Sequence, residues 1–268
     1  YMAAALSGLG HIYFKMHRNE EAVKYYTQVL QIDSVDNPAL DQPVVAVDFH
    51  RLGLAYKALN RSREALTMIN KALEIQTKRF GENGLRLINT INNIGAVYSD
   101  LQLYDSARFY FRKSLSICKS NEEKSTLDFI NIHKNMAETY NRESKHALAL
   151  EEINTSLSYM KIDTGEKGEL IVPDFELLNF KEHLMYILRN RSTALLGLYK
   201  ETGNTDELFL AYENHLLHRK IYEYSIENSV AKGSQLFQAS AIANSNEEAI
   251  YILYELYHKS NDNKYILE

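Results

Sequence analysis

Gly10, Gly53, Gly95 and Ala137 fall 43, 42 and 42 residues apart. Each is followed three positions later by a tyrosine, Tyr13, Tyr56, Tyr98 and Tyr140, and further on by an alanine, Ala22, Ala65, Ala107 and Ala149, at the same intervals. Three series in one register mean a structural unit used at least four times, and a unit of this length has no core of its own until its neighbours stack on it. Residues 88–117, INTINNIGAVYSDLQLYDSARFYFRKSLSI, show the unit most clearly. Ile91, Ile94, Gly95 and Tyr98 share one helical face, and Ala107, Phe111 and Leu115 share another. The spacing predicts a helix, a tight turn at Leu101 to Tyr104, and a second helix folded back on the first. The small residues let the two helices approach, and the tyrosine fills the space beside them.

Only three prolines occur, at Pro38, Pro43 and Pro173, which leaves long stretches open to uninterrupted helix and points to an all-α chain. The 30 Lys and Arg against 35 Asp and Glu give a net charge of -5 with both signs mixed, so no basic block marks a nucleic-acid surface. No apolar run approaches a membrane span, and Ala3 to Leu6 is too short for the core of a signal peptide. A single cysteine, Cys118, excludes an internal disulfide framework and fits a reducing, cytoplasmic setting. A chain that starts at Tyr1 and stops just after the Asn261-Asp262-Asn263 turn is expected to be a piece of a longer protein.

The repeated residues resemble the tetratricopeptide repeat, whose first helix carries a leucine, a small residue and a tyrosine and whose second carries alanines. The match reads Leu9-Gly10-Tyr13 with Ala22 and Tyr26, Leu52-Gly53-Tyr56 with Ala65 and Ala72, Ile94-Gly95-Tyr98 with Ala107 and Phe111, and Met136-Ala137-Tyr140 with Ala149. The tryptophan and the closing proline of that family are missing. The period exceeds the usual length, which resembles the longer repeats of kinesin light chains. The resemblance implies an all-α fold, a right-handed α-α superhelix of antiparallel helix pairs, with no catalytic machinery and no cofactor. Four regular units are expected over 3–160, a loop or insertion over 161–174, where KIDTGEKGELIVPD holds two glycines and a proline, and degenerate helical repeats over 175–268. In that last part helices are expected from about Phe175 to Thr202, Asp206 to Asn228 and Lys232 to His258.

Two phrases there, LLGLYKETGNTDELFLAYENHL and SNEEAIYILYELYHKSNDNKYILE, look like the degenerate repeats that join tetratricopeptide arrays to CHAT domains, the caspase-like peptidase units of many bacterial proteins. Leu195, Leu198-Tyr199, Thr202-Gly203, Leu208 and Ala211 carry the first match; Ala249, Leu256-Tyr257 and Lys264-Tyr265 carry the second. That resemblance implies a peptidase histidine and cysteine beyond residue 268.

The first helix of each unit lines the inner surface of such an array. Two positions before the small residue stand Gly8, Arg51, Asn93 and Asn135; three before it, Ser7, His50, Asn92 and Lys134; six before it, Ala4, Val47, Asn89 and Asn131. An amide both donates and accepts, so Asn93 and Asn135 have the chemistry to hold the backbone of an extended peptide, the use that arrays of this kind make of an asparagine there. The same residues would serve equally as solvated polar positions. His11, Lys57, Glu138, Asn141 and Arg142 are expected on the same side, with Arg51, Lys57 and Arg142 attracting carboxylates or acting as ordinary surface charges. The 19 tyrosines fall mostly at helical spacing and are read as packing. His215 and His218 stand one turn apart without a third ligand in a metal-binding motif, and Cys118 and His133 lack the elbow of a catalytic pair. The expected function is therefore protein or peptide binding, in its most specific form as the sensing array of a CHAT-type peptidase. Two alternatives stay open, a scaffold ahead of a histidine kinase or transcription regulator and a self-associating array.

Overall fold

The computed structural model describes residues 2–36, 42–120, 126–172, 180–227 and 248–259. They fall into two compact units, Tyr1–Asp128 and Phe129–Glu268.

The first unit holds three helical hairpins: α1 (Met2–Lys15) with α2 (Asn19–Asp36), α3 (Pro43–Ala58) with α4 (Ser62–Phe80), and α5 (Ile88–Asp100) with α6 (Tyr104–Lys119). A 3-10 turn, Leu85–Leu87, leads into α5. Pro43 opens α3, where its missing N–H costs nothing because that donor has no partner within the helix. Each hairpin closes at one position. A Cβ on Gly10 would come within 2.8 Å of the Tyr26 ring, one on Gly53 within 2.4 Å of Ile69, and one on Gly95 within 2.6 Å of Phe111. Tyr26, Ile69 and Phe111 stand at equivalent places in the second helices and are fully buried. The small residue thus exists because a bulky side chain of the return helix occupies the space a larger residue would need.

The turns repeat as faithfully as the helices. The backbone N–H of Arg18, Arg61 and Leu103 donates to the carbonyl of Tyr13, Tyr56 and Tyr98, each at 2.9 Å. The residue before each donor, His17, Asn60 or Gln102, has a φ of 56, 58 or 60°. This is the Schellman closure, in which one left-handed residue lets the chain satisfy the orphan carbonyls at the helix end. The next helix begins at once, with the N–H of Ala22, Ala65 and Ala107 bonded to the carbonyl of Arg18, Arg61 and Leu103 at 3.0 Å.

Most of the second unit follows the same plan. Helix α7 (Thr126–Arg142) pairs with α8 (His146–Tyr159), closed by Lys145 N–H to the Tyr140 carbonyl at 2.8 Å with Ser144 left-handed. Ala137 takes the small position and packs with Ile153. Helix α9 (Lys181–Thr202) returns through Gly203, left-handed at φ 73°, into α10 (Thr205–Glu227), and residues 248–259 form α11. Helix α9 is described from Lys181, and the starts expected at Phe175 and Lys232 lie outside the described residues, as does the Asn261-Asp262-Asn263 turn.

The stretch read as a loop contains a short antiparallel hairpin, β1 (Asp163–Thr164) and β2 (Leu170–Ile171), with Asp163 opposite Ile171. It is fastened by Arg191 of α9, only 4% exposed, which donates to the carbonyl of Gly168 and, at 2.6 Å, to Oδ1 of Asn214. Burial lowers the Arg191 pKa to about 10, so the guanidinium stays charged at neutral pH inside the unit. Two apolar cores flank it: one joins Ile130, Ile153, Leu157, Leu184, Leu188 and Ile221, the other Leu195, Leu208, Ala211, Ile252 and Leu256.

Candidate recognition surface

Helix α5 buries Ile88, Thr90, Ile91, Asn92, Ile94, Gly95, Val97 and Ser99, an arc covering most of its circumference. Of the residues left, Asn89, Asn93, Ala96 and Asp100 form one stripe at the three- and four-residue spacing of a helix face, and the half-buried Tyr98 lies on the other side. On α3 the corresponding positions are Val47, Arg51, Leu54 and Ala58, with the partly buried His50 and Lys57 beside them. Asn89 is exposed and makes no hydrogen bond among the described residues.

One residue expected on the open face is not there. Asn92 is only 4% exposed, because neighbouring helices cover that side of α5, as they cover Ser99. Sequence spacing could not separate Asn92 from Asn93, since adjacent residues lie about 100° apart on a helix and the width of the covered arc depends on neighbours.

The first helices of consecutive hairpins touch through polar side chains. Ser7 donates to Oδ1 of Asp48 at 2.5 Å and accepts from Arg51 at 3.0 Å; one repeat later, Nδ2 of Asn93 lies 2.8 Å from Nε2 of His50. Burial, and secondarily the charge of Arg51, lowers the His50 pKa to about 4. Its imidazole is therefore neutral, and with the proton on Nδ1 the Nε2 lone pair accepts from the Asn93 amide. The Asn93 carbonyl oxygen takes no part in that contact. Burial also raises the Asp48 pKa, against the opposing pull of Ser7 and Arg51.

The cations expected to attract carboxylates already have partners in the chain. Lys57 reaches Asp100 at 3.1 Å, Arg51 lies 4.0 Å from Asp48, and in the second unit Arg142 pairs with Glu138 at 2.8 Å. Isolated-residue reading missed the acids because Asp48 and Asp100 sit on helix positions outside the series compared.

In the second unit α7 presents Asn131, Lys134, Asn135 and Glu138, all partly buried. Asn131 accepts from Lys134 at 3.2 Å, and the Lys134 ammonium lies 4.7 Å from the centre of the Tyr186 ring. The Tyr186 hydroxyl donates to Glu138, and Asn141 donates to the Asn190 carbonyl at 2.8 Å. Burial first, and then the Glu138 carboxylate, raises the Tyr186 pKa, so the phenol stays protonated. The α7 face is thus already engaged by α9, in the way α5 engages α3.

His11 is exposed on α1, its pKa lowered by partial desolvation and by Arg51 and Lys15. His215 and His218 are half-buried, with His218 lowered to about 4 by desolvation. Among the described residues no group of three His, Cys, Asp or Glu is arranged to hold a metal. Cys118 is fully buried on α6, and His133 on α7 holds Glu152 at 2.6 Å. No helix among the described residues is long and apolar enough to cross a membrane.

Hairpins with a small residue, a Schellman closure and polar contacts between first helices define a helical-repeat protein. The tetratricopeptide repeat model matches residues 1–78 and 48–120, so the chain carries tetratricopeptide repeats there. Among solved structures it is similar to a kinesin-light-chain-like protein of nearly identical TPR-like repeats from Podosopora anserina, at 16% identity and a TM-score of 0.55, over 85% of this chain and 99% of that one. It is also similar to BtubC (BKLC) from P. vanneervenii, at 14% identity and a TM-score of 0.56, over 85% of this chain and 82% of that one. At these identities the likeness establishes the fold. None of the curated proteins compared with the chain matches it.

Proposed function

We propose that the chain is a protein- or peptide-binding repeat scaffold, without catalytic activity of its own, and that the stripe of α3 and α5 is a recognition surface. The observation that carries this reading is Asn89 and Asn93 one turn apart on a face of α5 that the neighbouring helices do not bury. An exposed amide and a half-used amide at this spacing match the alternating donors and acceptors of an extended backbone. Because Arg51 and Lys57 are held by Asp48 and Asp100, recognition rests on amides more than on net charge. On α7, Asn131, Lys134, Asn135 and Arg142 would form a second such face in the other unit. The finer context follows from the resemblance of the second half: a cytoplasmic sensing array of a larger bacterial protein with a CHAT-type peptidase. Kinase or DNA-binding motifs in the gene downstream of residue 268 would overturn that context while leaving the scaffold reading intact.

The test is selection of a displayed random-peptide library on the whole chain, with isothermal titration of the enriched peptides. An Asn89→Ala, Asn93→Ala double variant should bind them at least tenfold more weakly with a melting temperature within a few degrees of the parent. Equal binding by the two proteins would remove the α3–α5 stripe from the recognition surface.

A further inference from the structure

The two sides of the α3–α5 surface differ in chemistry, and the contacts between the helices fix how those sides line up. Nδ2 of Asn93 meets Nε2 of His50 at 2.8 Å, and seven residues further along both helices Lys57 meets Asp100 at 3.1 Å. The two helices therefore run parallel and in step. Val47 is level with Asn89, Arg51 with Asn93 and Leu54 with Ala96. The α5 side offers amides, whereas on the α3 side Val47 is 41% exposed and Leu54 half-buried, with Arg51 between them.

Stacking of the repeats does not cover this face. Leu52 and Ala55 of α3 pack on Ala22 and Tyr26 of α2, and Ile94 and Val97 of α5 on Ala65 and Ile69 of α4. Val47 stays open although α3 lies inside the array, with α1 on one side and α5 on the other. A helix laid there would rest its apolar seam on Asn89 and Asn93; an extended segment meets both sides. Side chains on one edge of an extended segment recur about every 6.6 Å, and Val47 to Arg51, like Asn89 to Asn93, spans about 6 Å along the helix axis. The third side chain on that edge arrives between Leu54 and Ala58. Arg51 sets the chemistry at the middle place. Its Nη1 donates to Ser7 at 3.0 Å and lies 4.0 Å from Asp48, which leaves Nε and Nη2 without a partner among the described residues, on a side chain 38% exposed. Because Asp48 already faces the guanidinium, what is wanted from a ligand is a pair of acceptor lone pairs rather than a full charge.

Resting on the peptide-binding reading of this stripe, we propose that its ligand is an extended segment of a partner protein with a defined pattern: an aliphatic residue, a carboxamide or carboxylate residue two positions on, and a second aliphatic residue two positions further. One aliphatic side chain packs on Val47 and the other on Leu54 and Ala58, the oxygen acceptor of the middle residue takes the idle donors of Arg51, and Asn89 and Asn93 hold the backbone. The pattern is the same read from either end, so it holds for both directions of the bound segment.

The probe is a displayed random heptapeptide library, selected in parallel on the whole parent chain and on Val47→Lys. Peptides enriched on the parent should show the pattern. On Val47→Lys one end position should change from aliphatic to acidic, while the middle acceptor and the other aliphatic residue persist. Made singly, a parent-selected peptide should lose about tenfold or more in affinity by isothermal titration when leucine replaces the acceptor or serine replaces either aliphatic residue. Because Val47 is an exposed helix position, circular dichroism should report a melt of Val47→Lys within a few degrees of the parent. Enriched peptides that lack the pattern, or keep the same ends on Val47→Lys, yet bind the Asn89→Ala, Asn93→Ala variant more weakly, would overturn this inference and leave the recognition surface standing. Peptides bound equally by that double variant would overturn both. A concentration-dependent dimer in sedimentation velocity that Val47→Lys abolishes would assign the face to a second copy of the chain and overturn the inference as well.

Discussion

His50 shows how one side chain turns burial into a property of the solution. Its pKa is lowered from 6.5 to about 4, chiefly by desolvation and then by Arg51. The folded chain therefore holds it neutral where the unfolded chain would bind a proton. The stabilising difference is complete above pH 6.5 and is lost as pH falls toward 4, because protonation then favours the unfolded state. The loss amounts to at most roughly 3 kcal/mol for this one group. His50→Gln keeps an acceptor for Asn93 and removes the titration. Urea denaturation at successive pH values should show a shallower fall of stability between pH 6.5 and 4 for the variant than for the parent. The slope left over should include His218 of the second unit, which is also lowered to about 4. A variant whose pH dependence overlays that of the parent would mean that His50 is accessible to protons in the folded chain.

At the scale of the hairpin, the glycine and the bulky residue facing it act as one packed pair. A methyl group on Gly95 would lie 2.6 Å from Phe111 and 3.1 Å from the Ala107 carbonyl, and Phe111 is fully buried with little room to retreat. Gly95→Ala should therefore cost about 1–3 kcal/mol by overpacking, despite alanine being the better helix former. Gly8, on the exposed side of α1 with nothing within 4 Å of a built Cβ, isolates the propensity effect. Gly8→Ala should stabilise by up to about 1 kcal/mol. Opposite signs in the two chemical melts check the packing argument, and a stabilising Gly95→Ala would refute it. This pair was legible in the sequence because small residues, tyrosines and alanines recur at fixed intervals, and the hairpin ends followed from the same spacing. The left-handed residues at His17, Asn60, Gln102 and Ser144 were not legible, since glycine occupies none of them and the strain is carried by ordinary side chains. The β-hairpin at 163–171 was equally hidden: its strands are two residues each, and what holds it is Arg191, distant in sequence. The candidate surface was half legible. Periodicity named Asn89 and Asn93, whereas the burial of Asn92 and the pairing of Arg51 and Lys57 depend on which helices lie alongside.

Across the first unit, stability is expected to be shared between neighbouring hairpins, because the buried apolar faces of α3 and α5 meet the second helix of the hairpin before them. Ile94 is fully buried among Ala65, Ile69 and Val97, which come from α4 and α5, so it belongs to the contact between the second and third hairpins. Ile94→Ala should cost about 2–5 kcal/mol through lost burial and a residual cavity. In a single cooperative core the loss would appear everywhere alike. In a chain of nearest-neighbour contacts it should be graded, with amide exchange accelerated most in α4 and α5, less in α3 and α6, and least in α1 and α2. Hydrogen exchange of the whole chain under mildly denaturing conditions, parent against variant, measures that gradient. Equal acceleration across α1 to α6 would show that the first unit opens as one piece.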